Sequence, residues 1–477
     1  MINKTLNIDN TYDVRVKNIF HAISEAAENV NCDVYLVGGA VRDFVMGRDN
    51  DDFDFVCVQR GKINVNVRPG IALAKEAARI LNNNTDVREF QNFGTAQFLY
   101  NGIELEFVGA RRESYNRGSR KPVIENGTLD DDLDRRDFTI NAMAICLNKG
   151  KYGLLVDKFN GLSDLRNGVI KTPMNPDITF SDDPLRMLRA IRFATRFNFK
   201  IDSSTFAGMK RNAYRIEIIS AERIATELNK ILMTAKPSVG IIYLHSSGLL
   251  KLILPEVANL DVVEKRNNIG HKNNFAHTIK VLDYVASHSN NLTLRWAALL
   301  HDIGKTPTKK FENNSWTFRN HETEGAKMVK NIFTRLRLPI DDMKQVQTLV
   351  AMHMRPQAIV ENVTDSAVRR LMFDAGELLD DLMILCDADV TSKYEEKVKK
   401  VRDGFKLVRK KFEDLEERDH IRNFQPPVSG DEIMEILGIG PCRLVGIVKE
   451  ALKNGILDGE IANNHNEGVK FVKSFKF

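Results

Sequence analysis

Residues Asp33 to Val58 read DVYLVGGAVRDFVMGRDNDDFDFVCV, and the spacing of apolar and polar positions in this stretch decides the fold of the first third of the chain. Val34 to Val37 read as a short apolar strand and Gly38-Gly39 as a turn. An amphipathic helix, an acidic loop and a second strand follow. In that second strand Asp52 and Asp54 stand two residues apart. Alternate strand residues share a face, so both carboxylates project to one side while Phe53 and Phe55 pack on the other. Paired carboxylates suit a hard divalent cation such as Mg2+, which keeps its remaining positions for water and phosphate oxygens.

The glycines complete the pattern. At a strand-to-helix junction Gly38 and Gly39 let backbone amides approach an anion, and the helix N-terminus adds partial positive charge. Arg42 lies one turn into that helix. A Gly-Gly pair alone is most often only a turn, and a D-x-D strand is most often a solvated edge. Within 26 residues the two together favour a nucleoside triphosphate site.

A chain of 477 residues exceeds one hydrophobic core and divides into several units of about 100 to 150 residues each. Its net charge of +5 permits a nucleic-acid partner without requiring one. The cysteines Cys32, Cys57, Cys146, Cys386 and Cys442 are odd in number and lack CxxC spacing, which indicates neither a zinc knuckle nor a disulfide framework and fits buried thiols in a reducing compartment. The N-terminal MINKTLNIDNTYD is polar, and no stretch approaches the roughly 18 apolar residues of a membrane span. The expectation is a soluble, cytoplasmic protein with no membrane partner.

Around the opening stretch, Val14 to Glu28 and Ala72 to Leu81 have helical spacing, and Val87 to Phe90, Thr95 to Leu99 and Ile103 to Val108 read as strands. Asn101-Gly102 joins the last two as a hairpin. Ile103, Leu105 and Phe107 face one way, which leaves Glu104 and Glu106 on the other. If this strand lies beside the D-x-D strand, Glu106 is a third acid near the metal; otherwise it belongs to an exposed sheet face. Arg111 to Asp134 changes sign from basic to acidic without periodicity and reads as a disordered or functional loop. In LDRRDFTINAMA, Arg136 and Asn141 are placed either beside a phosphate or ribose or at a helix cap.

LLVDKFNGLSDL reads as strand, turn and short helix, and FSDDPLRMLRAIRFATRF as a helix with an Asp cap ahead of Pro184. Asp183 and Arg186, three apart, are expected on one helix face together with Arg189. An acceptor and a donor side by side can meet the Watson-Crick edge of a base; the alternative is a plain intrahelical ion pair. In SAERIATELNKIL, Glu222 and Arg223 are candidates for holding that helix.

These motifs, GGAVRD with D-x-D, RRDFTINAMA, DKFNGLSDL, DDPLRMLRAIRFA and SAERIATEL, resemble in order and spacing the head and neck of the class II tRNA nucleotidyltransferase and bacterial poly(A) polymerase family. The resemblance implies that Asp52 and Asp54 hold a catalytic Mg2+. It places Gly38, Gly39, Arg42, Arg136 and Asn141 around the triphosphate and sugar, with Asp137 and Arg189 also among the nucleotide-binding residues. Asp183 and Arg186 would act as a protein template for CTP and then ATP. One departure is Asp182-Asp183 where the family motif usually begins Glu-Asp. In that family a loop at the place of 111–134 helps the switch to ATP and is shortened in enzymes adding only CC.

A second constellation begins near residue 265. Six of the ten histidines lie between His271 and His353, which separates this region from the rest of the chain. His271 and His277 open a helical segment, His301-Asp302 ends the apolar run LRWAALLHDIGK, and His321, His353 and Asp389 follow. Imidazoles and carboxylates on neighbouring helices can hold a divalent metal that acidifies water for phosphate-ester hydrolysis. HDIGK is similar to the HD phosphohydrolase domain. That resemblance implies His277, His301, Asp302 and Asp389 as ligands of a second divalent metal, with His321 and His353 at a further position.

Glu395 to Arg422 reads as a solvated charged helix. Beyond Pro426-Pro427, two helices flank Gly438-Ile439-Gly440-Pro441, either a phosphate-cradling turn or an ordinary helix corner. The reading is an α+β multidomain enzyme: a head with a mixed or antiparallel sheet over 1–155, a helical neck over 156–260, an HD domain over 261–395 and a helical tail over 396–477, which by the resemblance would support the tRNA body. The resemblance implies CCA addition to tRNA from CTP and ATP. Poly(A) synthesis, A-only or CC-only addition, and an HD phosphohydrolase with a nucleotide-sensing head are the alternatives.

Overall fold

The computed structural model describes residues 4–10, 12–61, 68–82, 86–91, 94–114, 123–267, 269–271, 273–360, 363–390, 395–419 and 424–475. They divide into two units, Met1–Glu227 with Ser246–Leu252, and Leu228–His245 with Ile253–Phe477. Among the described residues no helix is long and apolar enough to cross a membrane.

The described strands of the first unit are β1 (Lys4–Thr5), β2 (Cys32–Val37), β3 (Asp52–Gln59), β4 (Arg88–Phe90), β5 (Thr95–Tyr100), β6 (Ile103–Gly109), β7 (Arg111–Ser114), β8 (Val123–Asn126), β9 (Met143–Cys146), β10 (Leu154–Asp157), β11 (Val169–Ile170) and β12 (Lys200–Ile201). Eight of them form one sheet in the order β1-β10-β9-β2-β3-β6-β5-β4. The β3–β6 pair is parallel and the other ladders of this sheet are antiparallel, so the sheet is mixed. Its helices are α1 (Val14–Asn29), α2 (Gly39–Val45), α3 (Pro69–Ile80), α4 (Leu129–Asp134), α5 (Gly161–Asn167), α6 (Pro176–Asp182), α7 (Leu185–Phe197), α8 (Ser203–Asn212) and α9 (Ala221–Leu232), the last running on into the second unit.

Alternation places Phe53, Phe55, Leu105 and Phe107 in the core. Phe20 of α1 meets Phe53 edge-on at 5.4 Å, and Phe55 stacks on Phe107 at 5.0 Å. Each fully buried aromatic contributes about 1.5–3 kcal/mol, enough to set which sheet face is covered. With α1 and α3 over that face, the acidic residues of β3 and β6 have only the opposite face available.

Three expectations change here. The stretch 111–134 carries regular structure among its described residues: β7 and β8 form an antiparallel ribbon, and α4 starts at a capping box in which Thr128 and Asp131 bond reciprocally. The acidic run is therefore a helix start, where carboxylates offset the helix dipole. Residues 115–122 lie outside the described residues. The apolar run after Asn141 is the buried strand β9, preceded by a 3-10 turn at Thr139–Asn141. Asp183 does not share a helix face with Arg186; it stands in extended backbone between α6 and α7, and its Oδ1 accepts the Leu185 N–H at 3.1 Å. Pro184 forces that break, because the residue before a proline is disfavoured in helical conformation.

Among its described residues the second unit is helical apart from two short hairpins, Lys265–Arg266 with Ile269–Gly270 and Lys310–Glu312 with Ser315–Thr317. Arg295, 2% exposed, donates to the carbonyls of Leu232, Thr234, Ala286 and Ser289. Those carbonyls lie at and just past the C-terminal ends of two helices, and their negative dipole ends offset the buried charge. The charged helix expected from Glu395 runs Glu395–Asp419 and is not solvated all round. Phe405, Val408, Phe412 and Leu415 are buried along one side, a spacing of three and four that the surrounding charges concealed in the sequence. The tail has the two expected helices, Gly430–Leu437 and Arg443–Asp458, and a third, His465–Ser474.

Phe405→Ala is expected to destabilise the second unit by about 3 to 5 kcal/mol, the usual range for emptying a buried aromatic site. Lys406→Ala, on the exposed side with only the solvent-facing Asp403 pair, is expected to change stability by less than about 1 kcal/mol. Urea unfolding followed by circular dichroism separates the two.

Candidate active site and metal centre

Strand register builds the head site. Val37 of β2 pairs with Asp54 of β3, Asp54 with Glu106 of β6, and Asp52 with Glu104. The chain turns into α2 directly after Val37, so the Gly38 turn lies beside the Asp54 carboxylate. Gly38 has φ +72, and a Cβ there would meet the Arg136 guanidinium at 2.8 Å and Asp54 Oδ2 at 3.7 Å. A side chain would therefore be both strained and in collision, and glycine is required at this position. Gly38, Asp54 and Arg136 thus share one corner, with Glu106 and Asp52 beside it.

Burial raises the Asp54 carboxyl from 3.8 to about 6, reinforced by the charges of Glu106 and Asp52 and opposed by Arg136. Glu106 is raised as well, first by burial and then by Asp52. Three acids crowded into a half-buried corner resist ionising together, which is the electrostatic condition a divalent cation relieves. The carboxylates of Asp52 and Asp54, on one face of β3 with Glu106 across from Asp54, are the oxygen donors that suit Mg2+.

The remaining head candidates form a connected network. Arg136 pairs with the buried Asp132, Nη2 to Oδ2 at 3.0 Å. Arg135 also pairs with Asp132. Both arginines hold the Asp132 carboxyl below its ordinary value against the effect of burial. Arg42 is only 5% exposed. It donates to both oxygens of Asp43, at 2.9 and 2.7 Å, and to Asn141 Oδ1 at 2.8 Å. Its guanidinium also lies over the Phe197 ring at 4.9 Å. These contacts commit Arg42 within the protein and leave it little reach toward a phosphate. Asn141 donates in turn to Asp137 at 3.0 Å, and Arg189 of α7 closes the chain on Asp137 at 2.6 Å. Arg186 donates to the Arg135 carbonyl at 2.7 Å, and Arg223 reaches Asp183 at 3.3 Å.

Sequence reasoning missed Asp132 and Asp43. The first carried a signal: Asp132 and Arg136 are spaced i,i+4 behind the Thr128 cap, the spacing of a helical ion pair.

In the second unit the HD residues converge. His277 Nε2 lies 2.7 Å from Asp389 Oδ1, and His301 Nε2 lies 3.6 Å from the same oxygen. Asp302 faces both sides: Oδ2 is 3.4 Å from His301 and Oδ1 is 3.5 Å from His321, which itself lies 3.2 Å from His353. Two groups result, His277 with His301 and Asp389, and Asp302 with His321 and His353. The expected set placed Asp302 with the first group; in the structure it bridges the two. His301, His321 and His353 each bond through Nδ1 to the carbonyl three residues earlier. That arrangement turns Nε2 inward, as metal-ligating histidines are held.

His301 Nε2 and Asp302 Oδ1 are buried without a hydrogen-bond partner, which fits a cation as the missing partner. Burial opposes a charge on His301, yet Asp302 and Asp389 raise it to about 10. Burial and the charge of His301 depress His353 to about 4. Gly304 completes the turn: a Cβ there would stand 2.0 Å from the His321 carbonyl. His271 precedes the helix Asn274–His288 and lies outside both groups.

Residues 34–171 match the poly A polymerase head domain, 198–260 the probable RNA and SrmB-binding site of polymerase A, and 274–394 the HD domain. The chain is 30% identical over 437 residues to an A-adding tRNA nucleotidyltransferase of Deinococcus radiodurans, covering 89% of this chain and 92% of that protein. It is 31% identical over 373 residues to a multifunctional CCA protein of Nitrosococcus oceani, covering 75% and 84%. Its fold matches the Thermotoga maritima CCA-adding enzyme in complex with tRNA with a TM-score of 0.65 at 21% identity, over 100% of both chains.

Ionising Asp54 weakens the folded chain, because its carboxyl rises from 3.8 to about 6 on folding. The neutral form's advantage is full below pH 4 and is lost as pH rises through 6. In EDTA, Asp54→Asn is expected to stabilise the first unit by up to about 3 kcal/mol at pH 7.5 and by almost nothing at pH 4. Added Mg2+ should raise the melting temperature of the unmodified protein and not of the variant. Scanning fluorimetry at both pH values checks this.

Proposed function

This chain belongs to the class II tRNA nucleotidyltransferase and poly(A) polymerase family and is a tRNA nucleotidyltransferase with an HD domain; from that premise we propose that it builds the complete CCA end of tRNA from CTP and ATP without a nucleic-acid template. The observation that carries the reading is that Asp183 and Arg186, on either side of the start of α7, are each anchored from outside the helix. Arg223 holds Asp183 and the Arg135 carbonyl holds Arg186. A carboxylate accepts an exocyclic amine and a guanidinium donates to a ring nitrogen or carbonyl. Cytosine and adenine both present an amine beside a ring acceptor on their pairing edge; uracil and guanine present neither in that order. One fixed pair therefore selects CTP and ATP together and rejects UTP and GTP.

The head family works with a divalent metal, and Mg2+ on Asp52 and Asp54 would neutralise charge at the α-phosphate and lower the pKa of the attacking hydroxyl. The chain's own groups position the reactants. The Gly38-Gly39 amides at the start of α2 face the triphosphate, and Arg136 at Gly38 supplies a positive charge beside it. The RNA 3'-oxygen attacks the α-phosphorus, the bond to the β-phosphate breaks, and pyrophosphate departs with the electron pair while the hydroxyl proton passes to solvent. Positioning of the two substrates in line provides most of the rate.

A-only addition is a second reading, favoured by the name of the Deinococcus relative that matches over 92% of its length. We read the HD cluster as a second, metal-dependent phosphohydrolase site, since its two ligand groups adjoin, with Asp302 of one group 3.4 Å from His301 of the other.

Incubating the protein and Mg2+ with tRNA transcripts ending before CCA, after C and after CC, with CTP, ATP or both, tests the reading. Three residues added to the shortest transcript only with both nucleotides is the expected result. Addition of A to the CC end alone would establish A-only activity, and long A tails poly(A) synthesis. Asp52→Ala should abolish all incorporation with an unchanged circular dichroism spectrum; retained incorporation would overturn the assignment of the carboxylates.

A further inference from the structure

The two hairpins of the second unit have too few paired residues to need a core of their own, yet between them they gather rings and cations. Their tips are joined by Asn267 donating to Asn314 at 3.2 Å, and Trp316 Nε1 donates to the Ile269 carbonyl at 3.0 Å. From the HD cluster outward the contacts form a continuous file. Lys305 Nζ is 2.6 Å from Asp302 and lies over the Phe318 ring at 6.0 Å. His271 stands edge-on to Phe318 at 5.8 Å and to Trp316 at 5.3 Å, and Phe311 meets Trp316 at 5.1 Å. All four rings are only half-buried. Lys265, Arg266, Lys310 and Arg319 are exposed around them, while Lys309, over the Trp316 ring, is paired with Glu264.

We propose that this file is a binding lane for single-stranded RNA, so that the HD cluster receives the end of an RNA strand and not a free mononucleotide. Half-exposed rings flanked by cations match the two parts of a single strand: bases stack on the rings irrespective of sequence, and phosphates meet the lysines and arginines. A protein partner would call for a continuous apolar surface, and here cations interrupt the rings. One nucleotide would occupy a single ring, and the file offers four. The lane also runs up to a metal-ligand candidate, through Lys305 to Asp302, which gives the strand's terminal phosphate a place to arrive. The inference rests on the phosphohydrolase reading of the HD cluster for the use made of the lane, though not for its binding.

The chain's two tryptophans make the test direct: Trp296 is 2% exposed, so quenching by a stacked base reports Trp316. The intact protein, in EDTA to prevent turnover, is titrated with a single-stranded RNA hexamer bearing a 3'-phosphate. Saturable quenching is expected, absent in Trp316→Phe and shifted at least about tenfold to higher RNA concentration in a Lys265→Glu, Arg266→Glu double variant at low salt. Both variants should add nucleotides to tRNA transcripts as the unmodified protein does, which keeps failure of the lane distinct from failure of the head. No quenching, undiminished binding by the double variant, or equal quenching by a 3'-mononucleotide would overturn the lane. Quenching in a protein that releases no phosphate once metal is restored would retire the phosphohydrolase reading and leave the lane supported.

Discussion

The register of three strands forces like charges together. Once Phe53, Phe55 and Phe107 are buried under α1 and α3, the two-residue period of a strand leaves Asp52, Asp54 and Glu106 no face but the opposite one. The parallel β3–β6 pairing then sets Asp54 directly across from Glu106. A repulsion of that kind destabilises the head, and the cost persists because the surrounding core over-determines it. The same apolar burial that gives the sheet its stability therefore disfavours ionising all three acids together, which a bound cation would offset.

That constraint explains which parts were legible in the sequence. The alternation of Phe and Asp over 52–55 has one physical solution, so the strand, its facing and the carboxylate pair all followed from spacing. The motif order was likewise enough to expect both the head and the HD region. What local pattern does not hold is long-range partnership. Nothing near Arg42 in the chain indicates that Asn141 takes one of its donors, and nothing near Asp302 indicates that it faces two histidine groups. Periodicity also failed where charge density masked it: in the helix Glu395–Asp419 the buried Phe405, Val408, Phe412 and Leu415 are diluted among lysines and glutamates.

Asp183 illustrates a different limit. Its cap role ahead of Pro184 was readable, and the same feature removes it from the helix whose face it was expected to share with Arg186. Capping uses one carboxylate oxygen, Oδ1, on the Leu185 N–H, and Oδ2 turns to Arg223. A side chain fixed at both oxygens has little rotational freedom, which is a better basis for reading a base than a solvated position on a helix face would be, since no ordering entropy remains to be lost on binding.

The same logic extends through the first unit. Arg42, Asn141, Asp137 and Arg189 form a buried relay from α2 to α7, with Asp137 held ionised by Arg189 and Asn141 against the effect of its burial. Each member satisfies another's polar group, so removing any one leaves a buried donor or charge unpaired, at a cost of about 3–5 kcal/mol where the lost partner is an ion. Hydrophobic packing alone would tolerate α7 sliding by a fraction of a turn against the head; directional bonds from Arg189 and Arg186 do not. The helix that carries Arg186 is thereby fixed relative to the turn that carries Gly38. On the reading proposed above, a base met at Arg186 would then stand in register with a triphosphate at the Gly38 turn, and the relay between them would turn two separate recognitions into one geometry.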